Sequence, residues 1–172
     1  MIYEPALLDR LEQLGSDEWE GVVWRHMFGS YPPSRQNTGG ARWNPREVAA
    51  IYTSLDRDTA LAEAVYRISL EPFRPKVKRT FYRIKLRLQR VVDLTDRSVL
   101  AKLGVTQTEL AADLSPICRK VGGAVAWLGN DGLLVPSARA EGTNLVIYPG
   151  DDDDSADDYD FEVVGSEEIV ES

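Results

Sequence analysis

The chain has few of the residues on which several common kinds of site depend. It contains one cysteine, Cys118, and one histidine, His26, among 172 residues. A single cysteine cannot form an internal disulfide, and one cysteine with one histidine cannot supply a Cys/His zinc site. We therefore expect no disulfide framework and no metal centre. The apolar neighbours of Cys118 favour a packed thiol over a nucleophile.

Long apolar runs and a recognisable leader are also missing. No apolar stretch approaches the ~20 residues of a transmembrane helix, and the start, Met-Ile-Tyr-Glu-Pro, lacks the basic and apolar regions of a signal peptide. We therefore expect a cytoplasmic protein with no membrane partner. A hydrophobic fraction of 43% and a charged fraction of 28% over 172 residues indicate a single soluble domain, residues 1–172.

Basic residues are absent from the C-terminal segment. Residues 151–172 hold 11 Asp and Glu, while residues 1–150 hold all 20 Lys and Arg together with 17 acidic residues. The first part therefore carries a formal charge of +3 and the second −11, and a pI near 4.7 argues against nucleic acid as the main target. The Asp-rich run 151–158 lacks the glycine and closing glutamate of an EF-hand loop, which favours a solvated loop over a calcium site.

Hydrophobic periodicity predicts a mixed α+β fold. Helical spacing covers residues 6–14, 59–70, 97–104 and 106–128. In the second helix the predicted buried stripe is Ala60, Leu61, Ala64, Val65 and Ile68. Strand patterns cover residues 21–25, 48–52, 76–95, 133–137, 144–149 and 159–164. The long strand has a basic face, Arg83, Lys85 and Arg87, which suits phosphate, nucleic acid or an acidic partner but is more typical of a solvated face.

The densest group of chemistry-bearing residues begins at Gly39-Gly40-Ala41-Arg42-Trp43-Asn44-Pro45. Gly40 permits a close backbone approach to a ligand, Arg42 suits phosphate, and Trp43 offers an aromatic wall. A predicted strand then brings Tyr52, and a predicted helix brings Glu63. Together they form the set that a nucleotide diphosphate with a ribose needs. Taken singly, each residue also fits a plain turn, a surface charge or, for Glu63, an ion pair with Arg67 four residues on.

Arg25 lies on the predicted strand 21–25, where it either faces a cleft or ends the strand as an exposed charge. The neighbouring His26 fits either a general acid or base or a structural role. Residues 29–40 form a long loop that we expect to cover a ligand, with Arg35 as a weaker second cation.

Two further polar residues lie on the strands near the C-terminal half of the chain. Ser137 follows Leu-Val-Pro at a predicted strand end, and Asn144 begins the next predicted strand. Ser137 has no Gly-x-Ser-x-Gly elbow, and only His26 is available as its base. We therefore interpret Ser137 as a hydrogen-bonding hydroxyl and not as a nucleophile.

The order of these segments, from about residue 22 to residue 149, resembles the RES-domain family. Arg25, Glu63 and Ser137 look like the arginine, glutamate and serine after which the family is named. Arg42, Tyr52 and Asn144 lie in segments that also match. One departure is Pro45-Arg46-Glu47-Val48, where the family pattern suggests a Pro-Gly-like turn, so the loop shape there differs.

The resemblance implies a fold similar to ADP-ribosyltransferase toxins, with mixed, mostly antiparallel sheets and flanking helices. It implies a toxin of a bacterial toxin–antitoxin pair that consumes NAD+ as a substrate, by hydrolysis or phosphorolysis, with phosphate as co-substrate in the second case. The implied partner is an Xre-type helix-turn-helix antitoxin that blocks the active site. Two alternatives are transfer of ADP-ribose to a macromolecule and a non-catalytic nucleotide-binding module. The oligomeric state, including a homodimer, is left open.

Roles for the candidate residues follow from the chemistry of breaking the nicotinamide–ribose bond. Arg25 and Arg42 would hold the diphosphate, and Trp43 and Tyr52 would wall the nicotinamide. The carboxylate of Glu63 would stabilise positive charge on the ribose. Ser137 and Asn144 would orient the nicotinamide amide or an incoming phosphate.

Overall fold

The protein is described by a computed structural model that covers residues 2–72, 78–150 and 160–169. Within those ranges it has five helices and six strands. In chain order they are α1 (Pro5–Leu14), β1 (Asp17–Phe28), β2 (Ile51–Ser54), α2 (Arg57–Ser69), β3 (Arg79–Asp93), α3 (Arg97–Lys102), α4 (Gln107–Ala111), α5 (Pro116–Trp127), β4 (Gly132–Pro136), β5 (Thr143–Ile147) and β6 (Asp160–Ile169).

The strands form one sheet that closes into a five-stranded barrel. Strand β1 pairs antiparallel with β2 and with β3, and β2 pairs antiparallel with β5. Strand β5 pairs antiparallel with β4, which runs parallel to β3 and so completes the ring. Strand β6 adds to β3 from outside the ring. The predicted α+β fold with a mostly antiparallel sheet is confirmed, whereas the likeness to ADP-ribosyltransferase toxins stays a prediction.

Two apolar cores follow from the alternation of side chains along the strands. One lies inside the barrel and the other lies between the barrel and the helices. The barrel core contains Val23, Ile51, Ile84, Leu86, Leu88, Val91, Leu145 and Ile147. The second core includes Cys118, which is fully buried, and burial raises the pKa of its thiol. The interpretation of Cys118 as a packed residue is confirmed.

The basic face of β3 is exposed, as the solvated alternative predicted. Arg83, Lys85 and Arg87 alternate with buried Ile84 and Leu86 along the strand. Arg87 pairs with Glu18 of β1 at 2.6 Å. Acidic neighbours therefore already neutralise part of this face.

Several predicted element boundaries were wrong, for local reasons. The strand expected over 48–52 lies at Ile51–Ser54. The helix expected over 106–128 is two helices, because Ser115 caps a new helix whose first residue is Pro116, and proline is favoured at a first turn but not inside a helix. In the predicted stripe of α2, Ala60 and Ala64 are buried and Leu61 and Ile68 are half-buried, whereas Val65 is 55% exposed. The acidic run 151–158 lies outside the described residues.

The double glycine inside α5 positions the loop that carries Arg42. A Cβ at Gly122 would lie 1.9 Å from the carbonyl oxygen of Trp43, so the loop backbone packs directly on the helix. Arg119, also on α5, donates from Nε to the carbonyl oxygen of Ala41 at 3.0 Å. The loop is thus held against α5 on one side while its other side faces the site. None of the described helices is long and apolar enough to cross a membrane.

Candidate active site

A cleft of about 260 Å³ lies where α2 meets the barrel. The lining residues come from β1, the loop before β2, β2 itself, α2, the segment after α4, and the stretch from the end of β4 into β5. They include Arg25, His26, Arg42, Tyr52, Ser54, Glu63, Tyr66, Arg67, Asp113, Arg139 and Asn144. Side chains that are 119 residues apart in the sequence therefore face one space.

Glu63 is fixed in this cleft through one carboxylate oxygen. Its Oε1 accepts a hydrogen bond from Ser137 Oγ at 2.6 Å and another from Asn144 Nδ2 at 2.8 Å. The alternative ion pair with Arg67 is not formed among the described residues, and Oε2 has no partner within that part of the chain. A carboxylate accepts at both oxygens, so Oε2 is available to a ligand.

Ser137 acts as a hydrogen-bonding hydroxyl, as its sequence context predicted. It is 2% exposed, and its Oγ accepts the backbone N–H groups of Arg139 at 3.1 Å and Ala140 at 3.2 Å. These two donors occupy its lone pairs, so the hydroxyl hydrogen points to Glu63. The geometry makes Ser137 a fixed donor to the carboxylate.

Asn144 has both ends of its side-chain amide held. Its Nδ2 donates to Glu63, and its Oδ1 accepts a hydrogen bond from Ser54 Oγ at 2.8 Å. Ser54 was not among the predicted site residues. The only available signal was its position two residues after Tyr52, which places both on the same face of β2.

Arg25 faces the cleft, which resolves the choice left open by the sequence. Its NH2 donates to the carbonyl oxygen of Arg35 at 2.7 Å and its Nε contacts Met27 Sδ at 2.9 Å. Its NH1 is buried with no hydrogen-bond partner in the described structure. The pKa of the guanidinium falls to about 10, first because of burial and then because Arg67 is close. A buried cation with an unused donor is costly unless an anion or carbonyl binds it.

Arg35 does not serve as the predicted second cation of the cleft. Its guanidinium lies 3.6 Å from the centre of the Tyr31 ring, and its contribution to the site is the carbonyl oxygen that accepts from Arg25. The loop 29–40 therefore reaches the site through its backbone.

Three other guanidinium groups line the cleft, on Arg42, Arg67 and Arg139. Arg42 NH1 donates to the carbonyl oxygens of Leu110 and Glu109 in α4, which is the negative end of that helix. Arg139, which the sequence analysis left without a role, stacks 3.4 Å from the centre of the Tyr66 ring. With Arg25 these groups make the cleft positive despite the net charge of the whole chain.

Arg139 and Tyr66 also meet Asp113 at the rim of the cleft. The guanidinium of Arg139 lies 3.6 Å from the carboxylate of Asp113, and the Tyr66 hydroxyl donates to the same carboxylate. These contacts join α2, the segment after α4 and the segment after β4, so the rim is preformed.

The loop from Gly39 to Pro45 makes fewer ligand groups available than predicted. Trp43 is among the residues that line the cleft, but it is 2% exposed and belongs to the core between barrel and helices, so it offers little surface to a ligand. Gly40 adopts a φ of 91° and donates its N–H to Asn37 Oδ1 at 3.0 Å, which makes it a turn residue outside the cleft lining. Gly40 therefore lies outside the cleft, whereas Trp43 borders it with little exposed surface.

Tyr52 lines the cleft, but its hydroxyl is committed to the loop. The hydroxyl donates to Asn44 Oδ1 at 2.6 Å and accepts the backbone N–H of Trp43 at 2.9 Å. Burial raises the pKa of Tyr52. The side chain can therefore offer a ring surface but not a titrating group.

His26 fits a structural role and not that of a general acid or base. Arg79 Nε donates to His26 Nε2 at 3.0 Å. The pKa of the imidazole falls to about 4, first through burial and then through the charges of Arg79 and Arg67. The ring is therefore neutral near pH 7, and the nitrogen that could accept a proton is already bonded.

Comparisons with known proteins concern the fold and the family of the chain. No curated protein matches the chain in sequence. A chain of the crystal structure of the M. tuberculosis MbcT–MbcA toxin–antitoxin complex is similar, with a TM-score of 0.79 at 20% identity, and the match covers 96% of this chain and 93% of that one. At that identity the likeness shows the fold. A sequence model described as the RES domain matches residues 12–164. The chain therefore belongs to the RES-domain family.

Proposed function

We propose that this protein is the toxin of a toxin–antitoxin pair and that it breaks the nicotinamide–ribose bond of NAD+. RES-domain toxins as a group act on NAD+, and a structurally similar chain comes from a toxin–antitoxin complex. The observation that carries the proposal is the arrangement of Glu63. Two donors hold one of its oxygens, while the other is available in a cleft lined by arginines.

The cleavage step needs a negative group beside the ribose and few other groups. When the C1′–N bond breaks, its electron pair leaves with the nicotinamide nitrogen and positive charge develops on the ribose ring. Water or phosphate then bonds to C1′ through oxygen, and water loses a proton. The free oxygen of Glu63 is suited to a ribose hydroxyl and to the developing charge. Nicotinamide leaves without protonation, which suits a site whose histidine is neutral and engaged.

The cationic groups suit the anionic part of the substrate. Arg25 has a buried unpaired NH1, and a phosphate or carbonyl oxygen of the ligand would complete its hydrogen bonding. The cleft volume of about 260 Å³ suits the nicotinamide–ribose end rather than the whole dinucleotide. The adenosine end would then lie outside the cleft, past Arg67 and Arg139. Tyr52 stays a candidate ring surface for the nicotinamide.

The proposal includes a partner. We expect an Xre-type helix-turn-helix antitoxin, encoded beside this protein, to bind over the cleft in the cytoplasm. We also propose that the fold is similar to that of ADP-ribosyltransferase toxins. Induced expression should deplete cellular NAD+, and the neighbouring gene should prevent the depletion. Growth arrest with normal NAD+ would instead favour the non-catalytic module.

The reaction is tested by product analysis with purified protein. Incubation with NAD+ should release free nicotinamide and ADP-ribose, or ADP-ribose phosphate when inorganic phosphate is the acceptor, as seen by mass spectrometry with and without phosphate. A parallel incubation with labelled NAD+ and cell extract tests the transferase alternative. Label on a macromolecule without free ADP-ribose would overturn the proposed hydrolysis or phosphorolysis. Intact NAD+ in every reaction would overturn the enzymatic proposal as a whole.

A further inference from the structure

We propose that Ser54 is a positioning residue for this reaction. Its hydroxyl holds the amide of Asn144, which in turn holds Glu63 with one oxygen free for the substrate. This inference rests on the proposed function and deepens it.

Ser54 is placed by strand pairing and not by a flexible loop. It is the last residue of β2 and lies directly opposite Asn144 in the antiparallel pair of β2 and β5. Directly opposite residues have their Cβ atoms about 4.5–5.5 Å apart. Ser54 is 4% exposed, and its Oγ lies 2.8 Å from Asn144 Oδ1. The contact is therefore part of the barrel framework.

The two ends of an asparagine amide have the same shape but opposite hydrogen-bonding character. Glu63 as a carboxylate only accepts, so it takes the Nδ2 end at 2.8 Å. The Oδ1 end accepts, and the hydroxyl of the buried Ser54 is its donor. With both ends bonded, the amide is held against rotation.

Fixing Asn144 has a consequence for Glu63. Asn144 donates to Oε1 from β5 and Ser137 donates to it from the segment after β4, so two donors hold this oxygen in place. Without the Ser54 hydroxyl, Oδ1 loses the donor that it has in the described structure, which costs free energy and lets the amide turn. Glu63 then loses one of its two donors, and Oε2 is less well placed at the ribose. The effect falls on turnover more than on binding.

Kinetics of three variants test the role. Ser54→Ala should lower kcat for NAD+ cleavage roughly 5- to 10-fold, the rate equivalent of one net hydrogen bond, with KM changed by less than about twofold. Ser54→Thr keeps a hydroxyl and suits a strand, so its kcat should stay within about threefold of the unmodified protein. Thr80→Val is the matched control, because its Oγ1 is buried and has no partner in the described structure. It removes a barrel hydroxyl and should leave kcat unchanged.

A double substitution separates positioning from a general structural effect. In an Asn144→Ala background, Ser54→Ala should have no further effect on kcat, because the group through which Ser54 acts is gone. Equal loss in both backgrounds would overturn the inference, and so would an unchanged kcat in Ser54→Ala.

A second readout does not depend on catalysis. Hydrogen exchange of the Asn144 Nδ2 protons, followed by NMR, should be roughly 5- to 10-fold faster in Ser54→Ala than in Thr80→Val. Equal exchange in the two variants would overturn the positioning role even if NAD+ is cleaved. If the unmodified protein does not cleave NAD+ but exchange changes as expected, the proposed function fails while the contact between Ser54 and Asn144 stands.

Discussion

At the scale of single residues, Arg25 is a largely buried cation that faces the cleft. Its guanidinium is largely buried with one unpaired NH1, and burial of an uncompensated charge is destabilising. Replacement Arg25→Met should therefore raise the free energy of unfolding by about 1 kcal/mol, while NAD+ binding weakens. Urea denaturation and a binding titration on the same sample check both parts. A less stable variant that binds NAD+ normally would contradict this account of Arg25.

His26 links the site to the pH dependence of stability. Its pKa is about 4 in the folded protein and about 6.5 in an unfolded chain. Between these values the unfolded chain binds the extra proton, so stability is lost as the pH falls from about 6.5 to about 4. After allowance for partial exposure, the loss due to His26 should be about 1–2 kcal/mol.

The matched comparison for His26 is the variant His26→Gln, which keeps an acceptor for Arg79 but does not titrate in this range. Denaturation should be followed at several pH values in both proteins. The carboxylates contribute alike to both proteins, so the difference between their pH profiles of stability is the contribution of His26. Identical pH profiles would show that the imidazole is not held neutral in the fold.

The sequence identified some site residues and missed others for physical reasons. The order of the segments that resemble the RES-domain family identified Glu63, Ser137 and Asn144. The structure joins these three residues by hydrogen bonds. The low exposure of Trp43 was not predictable, because the burial of a loop side chain depends on distant packing, here in the core under the helices. Ser54 was missed because its role exists only through a partner 90 residues away.

At the scale of elements, the loop before β2 packs against α5 at two consecutive glycines, Gly122 and Gly123. A Cβ at Gly122 would lie 1.9 Å from the Trp43 carbonyl oxygen, which is backbone and cannot move aside cheaply. Gly122→Ala should therefore destabilise the protein by about 2–3 kcal/mol, although alanine favours a helix. It should also displace Arg42 and weaken NAD+ binding.

Gly39→Ala is the control for this substitution. Gly39 lies in the same loop, has no atom within 4 Å of an added Cβ and does not adopt a positive φ. The free energy of unfolding of Gly39→Ala should differ from that of the unmodified protein by less than about 0.5 kcal/mol. Thermal unfolding of both variants checks the pair of expectations. Equal melting temperatures for Gly122→Ala and the unmodified protein would mean that the loop does not pack on α5 as described.

Element types were predictable where a local signal exists. The starts of α2, α3 and α4 follow Asp56, Asp96 and Thr106, and the side chain of each accepts a backbone N–H, as N-cap residues do. The start of α5 was missed because apolar residues continue on both sides of Ser115. Periodicity gives no boundary there, whereas the proline does.

At the scale of the whole molecule, the closure of the barrel was not predictable from the sequence. Closure depends on the antiparallel pairing of β1 with β3 and the parallel pairing of β3 with β4. Both pairings join strands that are distant in the sequence. Local patterns specify strands but not their partners. The charge distribution was more informative, because a chain with a net charge of −8 has its basic residues in the part that forms the cleft. The local positive field suits an anionic ligand.

The most direct test of the account replaces Glu63, whose carboxylate is held in the cleft by Ser137 and Asn144. Glu63→Gln should bind NAD+ within about threefold of the unmodified protein and release nicotinamide at least about 100-fold more slowly. The matched control is Asp58→Asn, an exposed carboxylate on the same helix, which should remain fully active. Nicotinamide release by Glu63→Gln at the rate of the control would contradict the central claim.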